Sequence, residues 1–165
     1  MVSQLWGVVI GGLLGLGGAT LTPWLAARRD RTRLRAYVRA YLVSILDIAH
    51  ARGHVARAND VLGAWRAGNT AIEINTFGSQ TDAIGDPVAS GELLKEAGFL
   101  GMDDAADLAR FIGSLRAVRI DMDKLGTPGF RAAPIADKIT ALQWTVNEWD
   151  RAKGIAEGLI KRLKN

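Results

Sequence analysis

Asp47, His50 and His54 are the side chains in this sequence best placed to hold a metal ion or move a proton together. Their i, i+3, i+7 spacing puts them on one face of a helix, and two histidines four apart on a helix can chelate zinc. A zinc hydrolase of the H-E-x-x-H kind also needs a glutamate directly after the first histidine, and Ala51 stands there instead. Arg52 and Arg57 add positive charge to the same stretch and oppose a bound cation. The expectation is two solvated or bundle-facing histidines and no metal.

Other chemistry fails on spacing. Asp121 and Asp123, like Glu148 and Asp150, are two apart on predicted helices, where such residues do not face each other. No G-x-S-x-G nucleophile turn occurs. The chain has no cysteine, which excludes disulfides, thiolate catalysis and cysteine-ligated zinc. The glycine-rich run Gly11-Gly12-Leu13-Leu14-Gly15-Leu16-Gly17-Gly18 suggests a phosphate loop at first sight. A G-x-G-x-x-G frame from Gly15 ends on Thr20, however, and no lysine stands where a phosphate loop requires one. The sequence therefore predicts no catalytic residue, no cofactor and no enzyme activity. Of the tryptophans, Trp149 falls on a helical seam and reads as core, while Trp144 lies off it and reads as an exposed interface aromatic.

The elements that would position any site follow from charge and hydropathy. Residues 1–27 contain no Asp, Glu, Lys or Arg. Residues 28–66 carry a net charge of +6, and residues 67–165 a net charge of −2. The net charge of +4 on the whole chain is thus a local property, centred on Arg28, Arg29, Arg31, Arg33, Arg35 and Arg39. From Leu5 to Ala27 the chain is apolar or small; as a helix it spans roughly 34 Å, against a hydrocarbon core of about 30 Å. Trp6 and Trp24 bracket it, as interfacial aromatics do. The charged run follows the apolar one rather than preceding it, opposite to a cleaved signal peptide. Residues 1–27 are therefore expected to be a single transmembrane anchor. The positive-inside bias places its N-terminus outside and residue 28 onward in the cytoplasm.

The glycines acquire a meaning in that helix. Ser3, Gly7, Gly11, Gly15 and Ala19 recur every four residues, a small-xxx-small ridge that lets two backbones approach closely in lipid. The expected partner of this packing face is another copy or a different membrane protein. The arginine cluster directly after the span suits anionic lipid headgroups. That reading is preferred to nucleic-acid binding, because the run abuts the membrane with no spacer.

Beyond the anchor the pattern is helical. Leu34, Val38, Tyr41, Ile45, Ile48, Val55 and Leu62 follow a 4-3 repeat, with Arg52 and Asn59 at the remaining seam positions, predicting one amphipathic helix within 28–67. Residues 68–87 read as a loop, and the surface there as a candidate for binding a partner. Asp86-Pro87 is a helix start for a short element over about 88–97. Asp103 and Asp104 open a helix burying Leu108, Phe111, Ile112, Leu115, Val118, Met122 and Leu125. Gly126-Thr127-Pro128-Gly129 breaks the chain. A last helix from about Pro134 places Ile135, Ile139, Leu142, Val146, Trp149, Lys153, Ala156, Ile160 and Leu163 on its seam. The predicted fold class is all-α: an N-terminal transmembrane helix, then a cytoplasmic antiparallel bundle of three long helices and one short one, with 88–165 completing the bundle.

In this order of features the chain resembles a diffuse group of small bacterial and prophage single-pass membrane proteins. The matching parts are Leu5-Trp6-Gly7 through Gly11-Gly12, Arg28-Arg29-Asp30-Arg31, and Ala97-Gly98-Phe99-Leu100-Gly101 with the helix after it. The resemblance implies a bacterial inner membrane location and topology, without a diagnostic catalytic motif. Three functions suit the design: a membrane-anchored interaction or scaffold protein, a phage-type membrane effector (holin-like or excluding superinfection), or an accessory subunit of a larger membrane complex. The first is the leading expectation.

Overall fold

Arginine, alanine and leucine are good helix formers, and neither glycine nor proline interrupts residues 28–52. In the computed structural model, which describes residues 28–72 and 87–164, this stretch is helix α1. Then come α2 (His54–Arg66), α3 (Pro87–Glu96), a 3₁₀ turn (Ala97–Leu100), α4 (Met102–Leu125), the short α5 (Pro128–Ala132) and α6 (Ile135–Arg162). No strand occurs among the described residues, so the all-helical expectation holds for them. The expected anchor over 1–27, with its packing face of Ser3, Gly7, Gly11, Gly15 and Ala19, lies outside the described residues, as does Asp86. Among the described residues no helix is long and apolar enough to cross a membrane.

The helix expected to run unbroken within 28–67 is divided at Gly53. Its φ of 61° and ψ of 23° are left-handed, a conformation that glycine enters without steric penalty. The Gly53 N–H donates to the His50 carbonyl, and the Gly53 carbonyl accepts from Arg57 N–H, so one helix closes and the next opens at this residue. The break re-aims the buried face. Beyond it the core side chains are His54, Ala58, Val61, Leu62 and Trp65, and Asn59 is exposed.

The seams differ in register from a strict 4-3 repeat. In α1 Leu34, Val38 and Ile45 are buried as expected, but Leu42 and Ala49 are the other buried positions, with Tyr41 and Ile48 only partly covered. A straight helix drifts by about 20° per heptad from a 3.5-residue repeat, which carries the buried stripe toward Leu42 and Ala49. In α6 the predicted Leu142, Val146, Trp149, Ala156 and Leu163 are buried. Ala152 and Leu159 take the places given to Lys153 and Ile160, and Ile135 is exposed. All seven apolar positions predicted for α4 are buried.

Helix directions follow from contacts at the ends. The Arg31 side chain reaches the Leu100 carbonyl at 3.4 Å, which places the start of α1 beside the start of α4. The Arg35 side chain donates to the Arg162 carbonyl at 2.8 Å, which places the end of α6 at the same end. At the other end Arg66 of α2 donates to Gln143, early in α6, at 2.7 Å. Helix α6 is therefore antiparallel to both α1–α2 and α4, as a bundle of this kind requires. Helices α1 and α4, however, run parallel, so the arrangement is not antiparallel throughout. The break at 126–129 is also more structured than expected. Thr127 accepts from Phe130 N–H and Pro128 occupies the first turn, giving α5.

Two predictions test this architecture by urea melts followed by circular dichroism. Phe111 is completely buried, and Phe111→Ala is expected to lower stability by about 3–5 kcal/mol. Gly53→Ala meets no steric neighbour yet must hold a left-handed backbone, so it is expected to destabilise by about 1 kcal/mol. Gly63→Ala, in the interior of α2 with open space around it, should instead stabilise by up to about 1 kcal/mol. Equal effects at the two glycines would remove the helix break at Gly53.

Candidate functional site

Three regions of the bundle carry polar or ionisable groups that could serve a ligand or partner. They are the basic end where α1 begins, a polar cleft beside the Gly53 break, and an apolar cavity behind it.

The basic end gathers the arginine cluster and divides it by role. Arg31 and Arg35 are one helical turn apart and share a face of α1. Both spend their guanidinium groups on backbone carbonyls: Arg31 on Leu100, which closes the 3₁₀ turn, and Arg35 on Arg162, which closes α6. The last carbonyls of a helix lack partners along the chain and carry partial negative charge, so a cation there is favourable. Arg162 extends the knot through its side chain. It pairs with Asp104 at 2.9 Å and with Asp107, both in the first turns of α4. Hydrogen bonds to Asp104 and then Asp107 raise the Arg162 pKa further above its ordinary range. Arg28, Arg29, Arg33 and Arg39 are exposed. Gly101 lets the chain enter α4 here at φ 98° and ψ 156°, a region that only glycine occupies readily.

Between α1 and the 3₁₀ turn lies an open groove lined by Asp30, Arg33, Leu34, Tyr37, Glu96 and Phe99. Phe99 and the neighbouring Met102 are exposed, while Ala97 and Leu100 of the same turn are buried. Sequence reasoning placed Phe99 in a resemblance only and gave Met102 no role. The available signal was an apolar run broken by Gly98 and Gly101, too short to bury every side chain in it.

The polar cleft contains Asp47 and His50, together with Asp150, Lys153 and Glu157 of α6. His54 does not join His50. It is buried and lines an adjoining apolar cavity of about 30 Å³ with Ala58, Met122, Leu142, Thr145 and Trp149. The helix break at Gly53 is what separates the two histidines. Among the described residues no group of three or more His, Cys, Asp or Glu is arranged to hold a metal. Of the two carboxylate pairs, Glu148 accepts from Ser114 of α4 and pairs with Arg151 at 3.7 Å, and Asp121 pairs with Lys124 at 3.9 Å. Trp149 is buried and Trp144 is 69% exposed, as their seam positions indicated. Trp65 is also buried, and its indole N–H donates to the Ile72 carbonyl at 3.0 Å, tying down the start of the expected 68–87 loop.

Burial, reinforced by Arg52 and then Arg57, lowers the His54 pKa below its ordinary 6.5. An unfolded chain therefore takes up a proton near pH 6.5 that the folded chain accepts only at lower pH. In that window the unfolded state binds more protons, so stability falls as pH falls. Acidification from about pH 7.5 to about pH 5.5 is expected to destabilise the wild type by up to about 1.4 kcal/mol per unit more than His54→Gln. Parallel urea midpoints for the two proteins across this range would remove His54 as the cause.

The chain matches no protein-family model, no curated protein and no solved structure, so its functional reading rests on its own residues.

Proposed function

We propose that this chain is a single-pass membrane protein that does no chemistry and acts by association. Residues 5–27 anchor it in a bacterial inner membrane, and the helical bundle stands on the cytoplasmic side as an interaction module. The observation that carries this reading is the uncharged run from Leu5 to Ala27 followed at once by Arg28, Arg29, Arg31, Arg33 and Arg35. Helical structure already present at residue 28 supports it, because α1 can continue an anchor without an intervening linker. Exposure of Arg29 and Arg33 supports it too, since these groups are available to anionic headgroups.

Association is assigned to the ridge of Ser3, Gly7, Gly11, Gly15 and Ala19, with a second copy or another membrane protein as partner. A plain tether needs only leucines. One built with glycine every fourth residue gives up helix propensity, and a close backbone contact offsets that loss.

Two measurements test the proposal. The chain is expected to stay with the membrane through an alkaline carbonate wash, with the bundle cleaved by protease added from the cytoplasmic side only. Release by carbonate, or cleavage from the opposite side only, would overturn the anchor or its orientation respectively. In a two-helix membrane association reporter, Gly11→Leu and Gly15→Leu should each lower the signal several-fold while Leu13→Ile leaves it unchanged. An equal signal from all three variants would remove the glycine ridge as the contact face.

A further inference from the structure

The turn between α3 and α4 exposes two large apolar side chains three positions apart, Phe99 at 59% and Met102 at 87%. They flank Leu100, which is buried at 2%, so the turn itself is anchored to the core while its neighbours are left out. Tyr37 of α1, across the groove from Phe99, is 58% exposed. These groups lie at the end of the bundle where α1 begins, fixed there by the contact of Arg31 with the Leu100 carbonyl.

The exposed charge at this end is mixed, with basic groups in excess. Arg29 and Arg33 of α1 and Lys161 and Lys164 at the end of α6 are exposed at this end. Asp104 and Asp107 are already paired with Arg162, which leaves Asp30, Glu96 and Asp103 as the exposed acids of this end, with Asp30 and Glu96 lining the groove beside Phe99. Exposed apolar side chains at an end with a basic excess suit the boundary between acyl chains and anionic headgroups, where an aromatic ring or thioether is buried and the cations meet phosphate. Position argues the same way. Residue 28 directly continues the uncharged run, and the first turns of α1 rise only about 1.5 Å per residue, so this end lies at headgroup depth if the run spans the bilayer.

We propose that the α3–α4 turn is an interfacial membrane contact: Phe99 and Met102 enter the headgroup layer and hold the bundle end-on against the bilayer. The inference rests on the anchor reading above and adds a second attachment point to it. With one attachment the bundle pivots about α1. With two, the exposed faces that include Ile120 and Trp144 are presented at a fixed height above the lipid. Each of those residues is eighteen positions along its helix from the basic end, roughly 27 Å away.

The absence of cysteine permits a direct test on the full chain. Phe99→Cys, Met102→Cys, Ile120→Cys, Trp144→Cys and Leu13→Cys are each labelled with an environment-sensitive nitrobenzoxadiazole. Each is reconstituted in vesicles of phosphatidylethanolamine and phosphatidylglycerol that carry a headgroup-depth spin-labelled lipid or, for position 13 in the span, an acyl-chain spin-labelled lipid. Labels at 99 and 102 are expected to be quenched several-fold more than labels at 120 and 144. Quenching at 13 with none above the 120 and 144 level at 99 and 102 overturns the contact and leaves the anchor intact. Labels at 99 and 102 shielded from aqueous iodide yet untouched by the spin-labelled lipid also overturn it, and assign the patch to a second copy of the chain. No quenching at 13 by the acyl-chain spin label removes the anchor, and the contact falls with it.

Discussion

Helix α6 carries Leu142, Val146, Trp149, Ala152, Ala156, Leu159 and Leu163 on a single stripe, and that stripe meets α4 along one flank and α1–α2 along the other. Two neighbours can share one stripe only if its middle is narrow. Ala152 and Ala156, both fully buried, supply that narrowness, while Trp149 and Leu159 fill the space on either side. Large and small side chains alternating along a seam is how helices interdigitate at interior density. The position of every other element follows from this sharing. Helix α4 contributes Phe111 and Leu108 at its most buried points, and α1 contributes Val38 and Leu42. The parallel course of α1 and α4 then follows from each being antiparallel to α6.

Polar interactions choose the register of that packing more than they stabilise it. The pairing of Arg162 with Asp104 and Asp107 is partly exposed, and such pairs are worth at most about 1 kcal/mol. Their geometry nonetheless matters. Arg162 donates from its side chain to α4 while its carbonyl accepts from Arg35 of α1, so the ends of three helices are aligned at a single point. The Ser114–Glu148 hydrogen bond performs the same alignment halfway along α4 and α6. A seam made only of aliphatic groups tolerates sliding by a turn, and these directional contacts oppose it.

The arginine cluster illustrates how one composition supports two roles. On a helix, six arginines within twelve residues cannot all point one way. Arg31 and Arg35 turn inward to helix-terminal carbonyls and become structural, whereas Arg29 and Arg33 stay in solvent. Any surface role of this end therefore falls to a subset of the cluster. The same segment is mechanically continuous with the core down to Gly53, because Leu34, Val38, Leu42, Ile45 and Ala49 are packed along it. A force or orientation imposed at residue 28 is passed directly to the bundle.

Local chemistry alone determined a good deal here. The helical class, the α4 face, the starts of α3 and α6 and the contrast between Trp144 and Trp149 were all legible, because the period of apolar residues and the proline and glycine positions report backbone conformation directly. So was the abrupt passage from an uncharged run to arginines at residue 28. What remained hidden depended on neighbours distant in sequence. Alanine carries little hydropathic signal, so Ala152 and Ala49 were recognisable as seam residues only once the partner helices showed how closely they approach. Gly53 sits in a pattern that a continuous helix also satisfies, and its left-handed turn emerges from the need to bring α2 back onto α6. That turn separates His54 from His50 by sending one into the apolar interior and the other to a polar cleft, so a one-turn spacing on one helix face became two different environments. Which arginines are structural and which face outward was likewise decided by where the ends of α6 and the 3₁₀ turn lie, and no spacing within the cluster encodes that.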